Sequence, residues 1–129
     1  MSITAWRNEY MVGIKSVDSQ HMRLLELANK LIEAQSKEEM LKSVILLNKF
    51  TKEHYRDEES LMRNSKYPDY LTHKEEHDLL LIKMDNFYDN VKNDNVNSNE
   101  IKGFICMWLL DHVFGKDAEF GKFYDSLDQ

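Results

Sequence analysis

The stretch from residue 54 to residue 77, HYRDEESLMRNSKYPDYLTHKEEH, contains the end of one predicted helix, a turn and the start of the next helix. Pro68 is the only proline of the chain, and a proline ends a helix upstream and suits the first turn of a new one. His54 and Glu58 are four residues apart, as are His73 and His77, so each pair lies on one side of its helix. The stretch therefore predicts a helical hairpin that carries two pairs of metal-binding side chains.

The composition is that of a single helical domain, which we expect to span residues 1–129. The hydrophobic fraction of 42% and the charged fraction of 31% are typical of globular proteins. Only four glycines and one proline occur, which disfavours a turn-rich β fold.

Apolar side chains recur at steps of three and four, the period of amphipathic helices. The predicted helices span about 18–35, 37–64, 69–91 and 98–115, after an arm at 1–17 and before a short helical segment at 117–129. Residues 92–99, KNDNVNSN, read as a loop. Four helices with short connections predict an all-α, antiparallel up-down-up-down four-helix bundle.

Local signals indicate where these helices begin and end. Asp18 or Ser19 is expected to cap the first helix, and Ser36 with Glu39 forms a capping-box pattern before the second. Gly115 is expected to loosen or end the fourth helix. The tail is expected to pack its aromatic residues, which are Phe120, Phe123 and Tyr124.

Charge and cysteine content narrow the function classes. The net charge of −6 disfavours nucleic acid as a partner. No run approaches the ~18 consecutive apolar residues of a membrane span, and Met1–Tyr10 does not match a signal peptide. Cys106 is the only cysteine and fits a reducing compartment. We therefore expect a cytoplasmic monomer with no membrane partner.

All five histidines have positions that suit one metal site. In an antiparallel bundle, the starts of helices one and three lie beside the ends of helices two and four. His21, His54, His73, His77 and His112 then fall within roughly 15 Å of one end of the bundle, on inward positions. One buried histidine is usually an ordinary core residue with a hydrogen-bond partner. Several of them together with buried Glu58 would be costly, and a bound cation resolves that cost.

Asp117 is a less certain ligand on spacing alone. It follows His112 by five residues, about 140° around an ideal α-helix, so a regular helix would not direct both side chains to one point. Gly115 between them permits a distortion or a helix end. From the residues alone, Asp117 is equally consistent with a ligand and with a surface acid.

The number and type of these groups limit the metal. Five imidazoles and two carboxylates exceed the four ligands of zinc and are too rich in nitrogen for calcium or magnesium. Two first-row metals bridged by the carboxylates would use all seven groups, and this ligand type suits iron. Residues 73–77 also match H-x-x-E-H, the inverted zinc-peptidase motif. That alternative is disfavoured because it leaves His21, His54 and His112 unexplained.

Four motifs together resemble one family. They are D-x-Q-H at 18–21, H-x-x-x-E at 54–58, Y-P followed by H-x-x-E-H at 67–77, and W-L-x-D-H with a downstream aspartate at 108–117. In this combination the chain resembles hemerythrin, most closely the single-domain bacterial form, bacteriohemerythrin. The resemblance extends from Trp6 to about Tyr124.

The resemblance implies a non-heme centre with two iron ions per chain (Fe2+/Fe3+), an oxo or hydroxo bridge and no heme. His73, His77 and His112 would bind one iron, and His21 and His54 the other. Glu58 and Asp117 would bridge the two, which raises Asp117 to an expected ligand. The second iron would keep one open position for dioxygen.

The resemblance also implies an apolar oxygen pocket. Its members would be Leu24, Tyr55, Trp108, Leu109 and Val113. Each of them is equally consistent with plain core packing, and the two roles are compatible. Tyr55 departs from the family pattern, in which a phenylalanine is expected beside this ligand. Its hydroxyl either points to solvent or forms a hydrogen bond near the site.

The function implied by the resemblance is reversible dioxygen binding for oxygen storage, delivery or sensing, with at most a weak oxidase side activity. The alternative is a di-iron oxidoreductase, such as a peroxidase or a nitric-oxide-handling protein, or an iron-handling protein. Oxygen-activating di-iron bundles use several glutamates. No inward glutamate beyond Glu58 is evident in this sequence, so binding is favoured over catalysis.

Overall fold

The computed structural model of the chain describes residues 10–95 and 98–127. Several expected features fall partly outside this range. They are most of the N-terminal arm with the start of the resemblance at Trp6, the centre of the 92–99 loop and the last two residues of the tail. The described residues include every candidate ligand and pocket position.

The described residues form an antiparallel up-down-up-down four-helix bundle with a further C-terminal helix, so the predicted fold class is confirmed. The elements are α1 (Lys15–Ile32), α2 (Lys37–Ser65), α3 (Tyr70–Lys92), α4 (Ser98–Met107), a π-helical segment (Trp108–Lys116) and α5 (Asp117–Ser126). Gly115 does not end the fourth helix, because the chain widens into the π segment and continues directly into α5. None of the described helices is long and apolar enough to cross a bilayer.

The start of α1 differs from the expected one. Neither Asp18 nor Ser19 caps this helix, since it begins at Lys15 and its N-cap residue, Ile14, forms no side-chain cap. The Asp18 carboxylate instead accepts hydrogen bonds from the preceding backbone N–H groups of Val12, at 2.7 Å, and Gly13, at 3.2 Å. Gly13 has a φ of 92°, a conformation that glycine adopts readily. The carboxylate therefore holds the entry loop rather than the helix terminus.

The start of α2 follows the predicted capping box in part. The Ser36 hydroxyl accepts a hydrogen bond from the Glu39 backbone N–H at 3.1 Å, so Ser36 caps the helix as predicted. The Glu39 carboxylate, however, accepts from the Gln35 N–H at 2.8 Å and not from Ser36. At the other end of α2, Lys66 takes a left-handed conformation with φ of 58°. Pro68 lies in the turn before α3 and not inside its first helical turn.

Two hydrophobic clusters fill the bundle. The larger one contains Leu24, Leu47, Met84, Ile105 and Leu109 with their neighbours. The smaller one, which we call the end cluster, has six buried members: Val12, Ile14, Val17, Met62, Tyr67 and Phe120. As expected for the tail, Phe120 is buried and packs with Phe123 and Tyr124. Along α1 and α2, the candidate ligands lie between members of the two clusters.

Gly121 tests how α5 is seated on the entry loop. A Cβ atom at this position would overlap the backbone carbonyl of Val12, which cannot rotate away as a side-chain tip can. Gly121→Ala is expected to lower the free energy of unfolding by about 1–3 kcal/mol, the usual range for overpacking. Thermal or urea unfolding of the two proteins measures the change.

Gly103→Ala is the matched control. Gly103 is also helical, but nothing lies within 4 Å of a Cβ placed there. Alanine should therefore stabilise the protein by about 0.5–1 kcal/mol through its higher helix propensity. Equal effects of the two substitutions would show that Val12 does not constrain α5.

Candidate metal centre

The structure brings all seven predicted ligands together inside the bundle. Each of them is at least 95% buried, and His73 is the most exposed at 5%. Their ligand atoms fall into two groups, within each of which all atoms lie within 4.8 Å of one another. One group contains Glu58, His73, His77, His112 and Asp117, and the other contains His21, His54, Glu58 and Asp117. Both carboxylates belong to both groups.

Each oxygen of the two carboxylates faces a different set of histidines. Glu58 Oε1 lies 3.0 Å from His73 Nε2 and 3.2 Å from His77 Nε2, whereas Oε2 is directed to His54 Nε2 at 3.8 Å. Asp117 Oδ1 lies 2.9 Å from His73 Nε2, and its Oδ2 lies 2.9 Å from His21 Nε2. This division suits carboxylates that bridge two cations, one in each group.

The π-helical segment resolves the position of Asp117. The Asp117 N–H donates to the carbonyl of His112, a bond between residues five apart, which is the hydrogen bond of a π-helix. In the wider turn, residues five apart return to the same side. His112 Nε2 consequently lies 3.5 Å from Asp117 Oδ1, a proximity that the ~140° of a regular helix would prevent. Such π segments occur often at functional sites.

Three histidines are held from outside the centre by residues that the sequence analysis missed. His54 Nδ1 donates to Gln20 Oε1 at 2.6 Å, and Gln20 is oriented by its own amide N–H, which donates to Asp57. His77 Nδ1 donates to Glu59 at 2.8 Å. Each of these bonds places a proton on Nδ1 and leaves Nε2 as the ring atom that faces the centre.

The third of these contacts joins His112 Nδ1 to the Glu76 carboxylate at 2.8 Å. A sequence signal for all three acceptors exists. Gln20, Glu59 and Glu76 each adjoin a candidate ligand in the sequence, and a residue one position along a helix points about 100° away. Such a residue faces the neighbouring helix, where it meets the next histidine.

The electrostatics favour positive charge at the centre. Burial raises the pKa of Asp117, but His112 and hydrogen bonds from neighbouring histidines outweigh it and keep that pKa well below its usual range. Burial and Asp117 likewise raise the pKa of Glu58, yet the hydrogen bond with His73 and the proximity of His77 lower it overall. Both groups are therefore ionised carboxylates, the form that binds metals.

His73 shows the strength of this negative field. Burial lowers its pKa, but hydrogen bonds to Asp117 and Glu58 raise it to about 10. His112 behaves differently, because burial lowers its pKa below the ordinary value although Asp117 acts in the opposite direction. A cation bound between the carboxylates would take the place of the proton on His73.

Unpaired polar atoms support the same conclusion. Within the described part of the chain, four inward atoms are buried without a hydrogen-bond partner: Glu58 Oε2, Asp117 Oδ1, His77 Nε2 and His112 Nε2. Buried polar groups are rarely left unsatisfied, because each one costs free energy. All four atoms belong to the candidate ligands, so the residues present fit a bound metal centre.

The predicted pocket residues are buried beside the ligands. Leu24, Leu109 and Val113 are fully buried, and Trp108 and Tyr55 are 1% and 2% exposed. The Tyr55 hydroxyl does not reach solvent, since it accepts a hydrogen bond from Trp108 Nε1 at 2.8 Å. The Tyr55 ring stacks on His77 with centroids 3.6 Å apart. Burial raises the pKa of Tyr55 well above its ordinary value, which keeps the phenol neutral.

Comparison with known proteins agrees with the geometry. The sequence model of the family described as "Hemerythrin HHE cation binding domain" matches residues 12–124. A bacteriohemerythrin of Clostridium acetobutylicum is 28% identical over 126 residues, covering 89% of this chain and 96% of that protein. A hemerythrin-like protein of Naegleria gruberi is 30% identical, with 89% and 88% coverage.

Solved structures share the architecture. The crystal structure of a wild-type hemerythrin aligns with a TM-score of 0.84 at 24% identity, covering 94% of this chain and 97% of that one. A hemerythrin mutant aligns with a TM-score of 0.85 and 95% coverage of this chain. At this identity the likeness concerns the fold.

His77→Ala is expected to reduce the metal content of the purified protein to one ion per chain or fewer, because the substitution removes a ligand atom from the centre. Elemental analysis of the folded protein, with helicity checked by circular dichroism, measures this loss. Glu75→Ala on the same helix is the matched control, since Glu75 is exposed. An unchanged metal load in His77→Ala would exclude His77 as a ligand.

Removing the metal should destabilise the fold. Without the cation, the two buried carboxylates and the unpaired inward atoms have no compensating partner, and this raises the free energy of the folded state. A metal present at about 100 times its dissociation constant adds about 2.7 kcal/mol, or about 10 °C in Tm for a domain of this size. Melting curves before and after chelation, followed by metal restoration, measure the difference. Identical melting temperatures would contradict a metal centre in these seven residues.

Proposed function

This chain belongs to the hemerythrin family, and we propose that it binds dioxygen reversibly at a non-heme di-iron centre. We further propose that residues 1–129 act as one domain and that the seven candidate ligands hold the two irons. The observation that supports this most directly is that each carboxylate presents one oxygen to each of two histidine groups.

The unequal division of the histidines provides a place for a ligand. His73, His77 and His112 would hold one metal, whereas only His21 and His54 would hold the other, and Glu58 and Asp117 belong to both groups. Imidazole and carboxylate ligands suit iron. When bound, two ferrous ions would supply two electrons to dioxygen and recover them on its release.

The residues around the centre orient the imidazoles and exclude water. Gln20, Glu59 and Glu76 hold three of the imidazoles in one tautomer and orientation. Leu24, Leu109 and Val113 are fully buried and exclude water from the pocket. Excluding water limits proton leakage and other side reactions, which favours release of the ligand unchanged.

The shortage of carboxylates and of space favours binding over catalysis. Among the described residues, the buried carboxylates are Asp18, Glu58 and Asp117, and Asp18 is occupied with the entry loop. Oxygen-activating di-iron bundles use more glutamates than this. The cleft that borders His73 has a volume of about 70 Å³. Organic substrates generally need pockets of roughly 300 Å³ or more.

Metal analysis combined with an oxygen titration tests the proposed function. We expect two irons per chain, and a visible absorption band that appears with oxygen and disappears when oxygen is removed, over repeated cycles. One zinc per chain without an oxygen-dependent colour would contradict the proposal. Irreversible oxidation with steady peroxide release would favour the oxidoreductase alternative.

A further inference from the structure

Tyr55 has an unused hydrogen-bond donor inside the centre. Its hydroxyl accepts from Trp108 Nε1 at 2.8 Å, and an indole N–H can only donate. The phenol proton therefore takes no part in that bond. No acceptor for it occurs among the described residues, although the side chain is only 2% exposed. A buried donor without an acceptor is costly and rarely lacks a role.

Two contacts fix the position of the phenol that carries this donor. The Tyr55 ring stacks on His77 with its plane within 3° of parallel, and the hydroxyl is anchored by Trp108. The ring centroid also lies 5.9 Å from that of His54 and 5.8 Å from that of His112. The phenol thus stands beside both histidine groups and cannot turn away without losing the stacking and the Trp108 bond.

Three of the predicted pocket side chains provide no acceptor for the phenol proton. Leu24, Leu109 and Val113 are apolar and fully buried, so they carry no side-chain acceptor. The missing acceptor is best supplied by a molecule that enters the pocket.

We propose that Tyr55 donates a hydrogen bond to the small ligand held at the centre and so determines which ligands are retained. The inference rests on the proposed function, because it requires a ligand site between the histidine groups. Ligands with an electronegative acceptor atom, such as dioxygen and small inorganic anions, would be held more tightly and released more slowly.

Azide is a suitable probe, since it is a small anion that binds ferric iron and carries acceptor nitrogens. Tyr55→Phe keeps the ring, its stacking and its volume but removes the donor. Azide titration of the iron-loaded, oxidised protein should give a Kd about tenfold or more higher for Tyr55→Phe, the range for a lost hydrogen bond to a charged group. Tyr124→Phe, a tyrosine in the end cluster's outer layer, is the control and should leave the Kd unchanged.

A vibrational measurement separates donation from a purely structural role. The azide stretching frequency should shift more between H2O and D2O in the original protein than in Tyr55→Phe, because the substitution removes the exchangeable phenol proton. Loss of the Trp108 bond alone would lower Tm in the iron-free protein without changing azide affinity or the isotope shift.

The outcomes distinguish the two proposals. If the original protein binds two irons and azide, and Tyr55→Phe binds azide equally well, the role of Tyr55 is overturned while the proposed function stands. If the original protein binds no iron, the proposed function fails and the role of Tyr55 fails with it.

Discussion

The sharing of two buried carboxylates between two groups of histidines is the constraint on which the rest of the structure depends. Glu58 and Asp117 are fully buried, and ionised groups in that position are stable only with compensating positive charge. Their partners come from all the long helices of the bundle, so the compensation is possible only when those helices are correctly aligned. The two carboxylates, which would be destabilising without partners, therefore help to specify how the helices align.

The two hydrophobic clusters lie on either side of the buried carboxylates and histidines. Along α1, Val17 of the end cluster precedes His21, and Leu24 of the larger cluster follows it. Along α2, the order Leu47, His54, Met62 crosses the same three layers in reverse. The polar layer is thus enclosed on both sides by close-packed apolar side chains. The packing that stabilises the fold therefore also keeps the candidate ligands buried.

Much of the fold and of the candidate site was predictable from the spacing of apolar and candidate ligand residues along the chain. Histidines and Glu58 occur on inward positions of regular helices, and an antiparallel bundle then brings them to one end. Asp117 could not be placed in this way, since its position depends on a π-helical hydrogen bond that the α-helical spacing of the sequence does not predict. The role of Asp18 was mistaken for a helix cap because the unsatisfied N–H groups of the entry loop compete for the same carboxylate. The hydroxyl of Tyr55 also needed a structure, because only there is its partner Trp108 visible.

The outer hydrogen bonds of the histidines follow the order of the chain. Gln20 on α1 holds His54 on α2, Glu59 on α2 holds His77 on α3, and Glu76 on α3 holds His112 in the π segment. Each helix thus orients a candidate ligand on the element that follows it in the chain. Each pair of consecutive helices can therefore position one histidine before the whole bundle has formed. His21 on α1 shows no such outer contact, since its Nδ1 is buried without a hydrogen-bond partner in the described part of the chain. His21 is thus positioned from within the centre, where its Nε2 lies 2.9 Å from Asp117 Oδ2 and 3.2 Å from His54 Nε2.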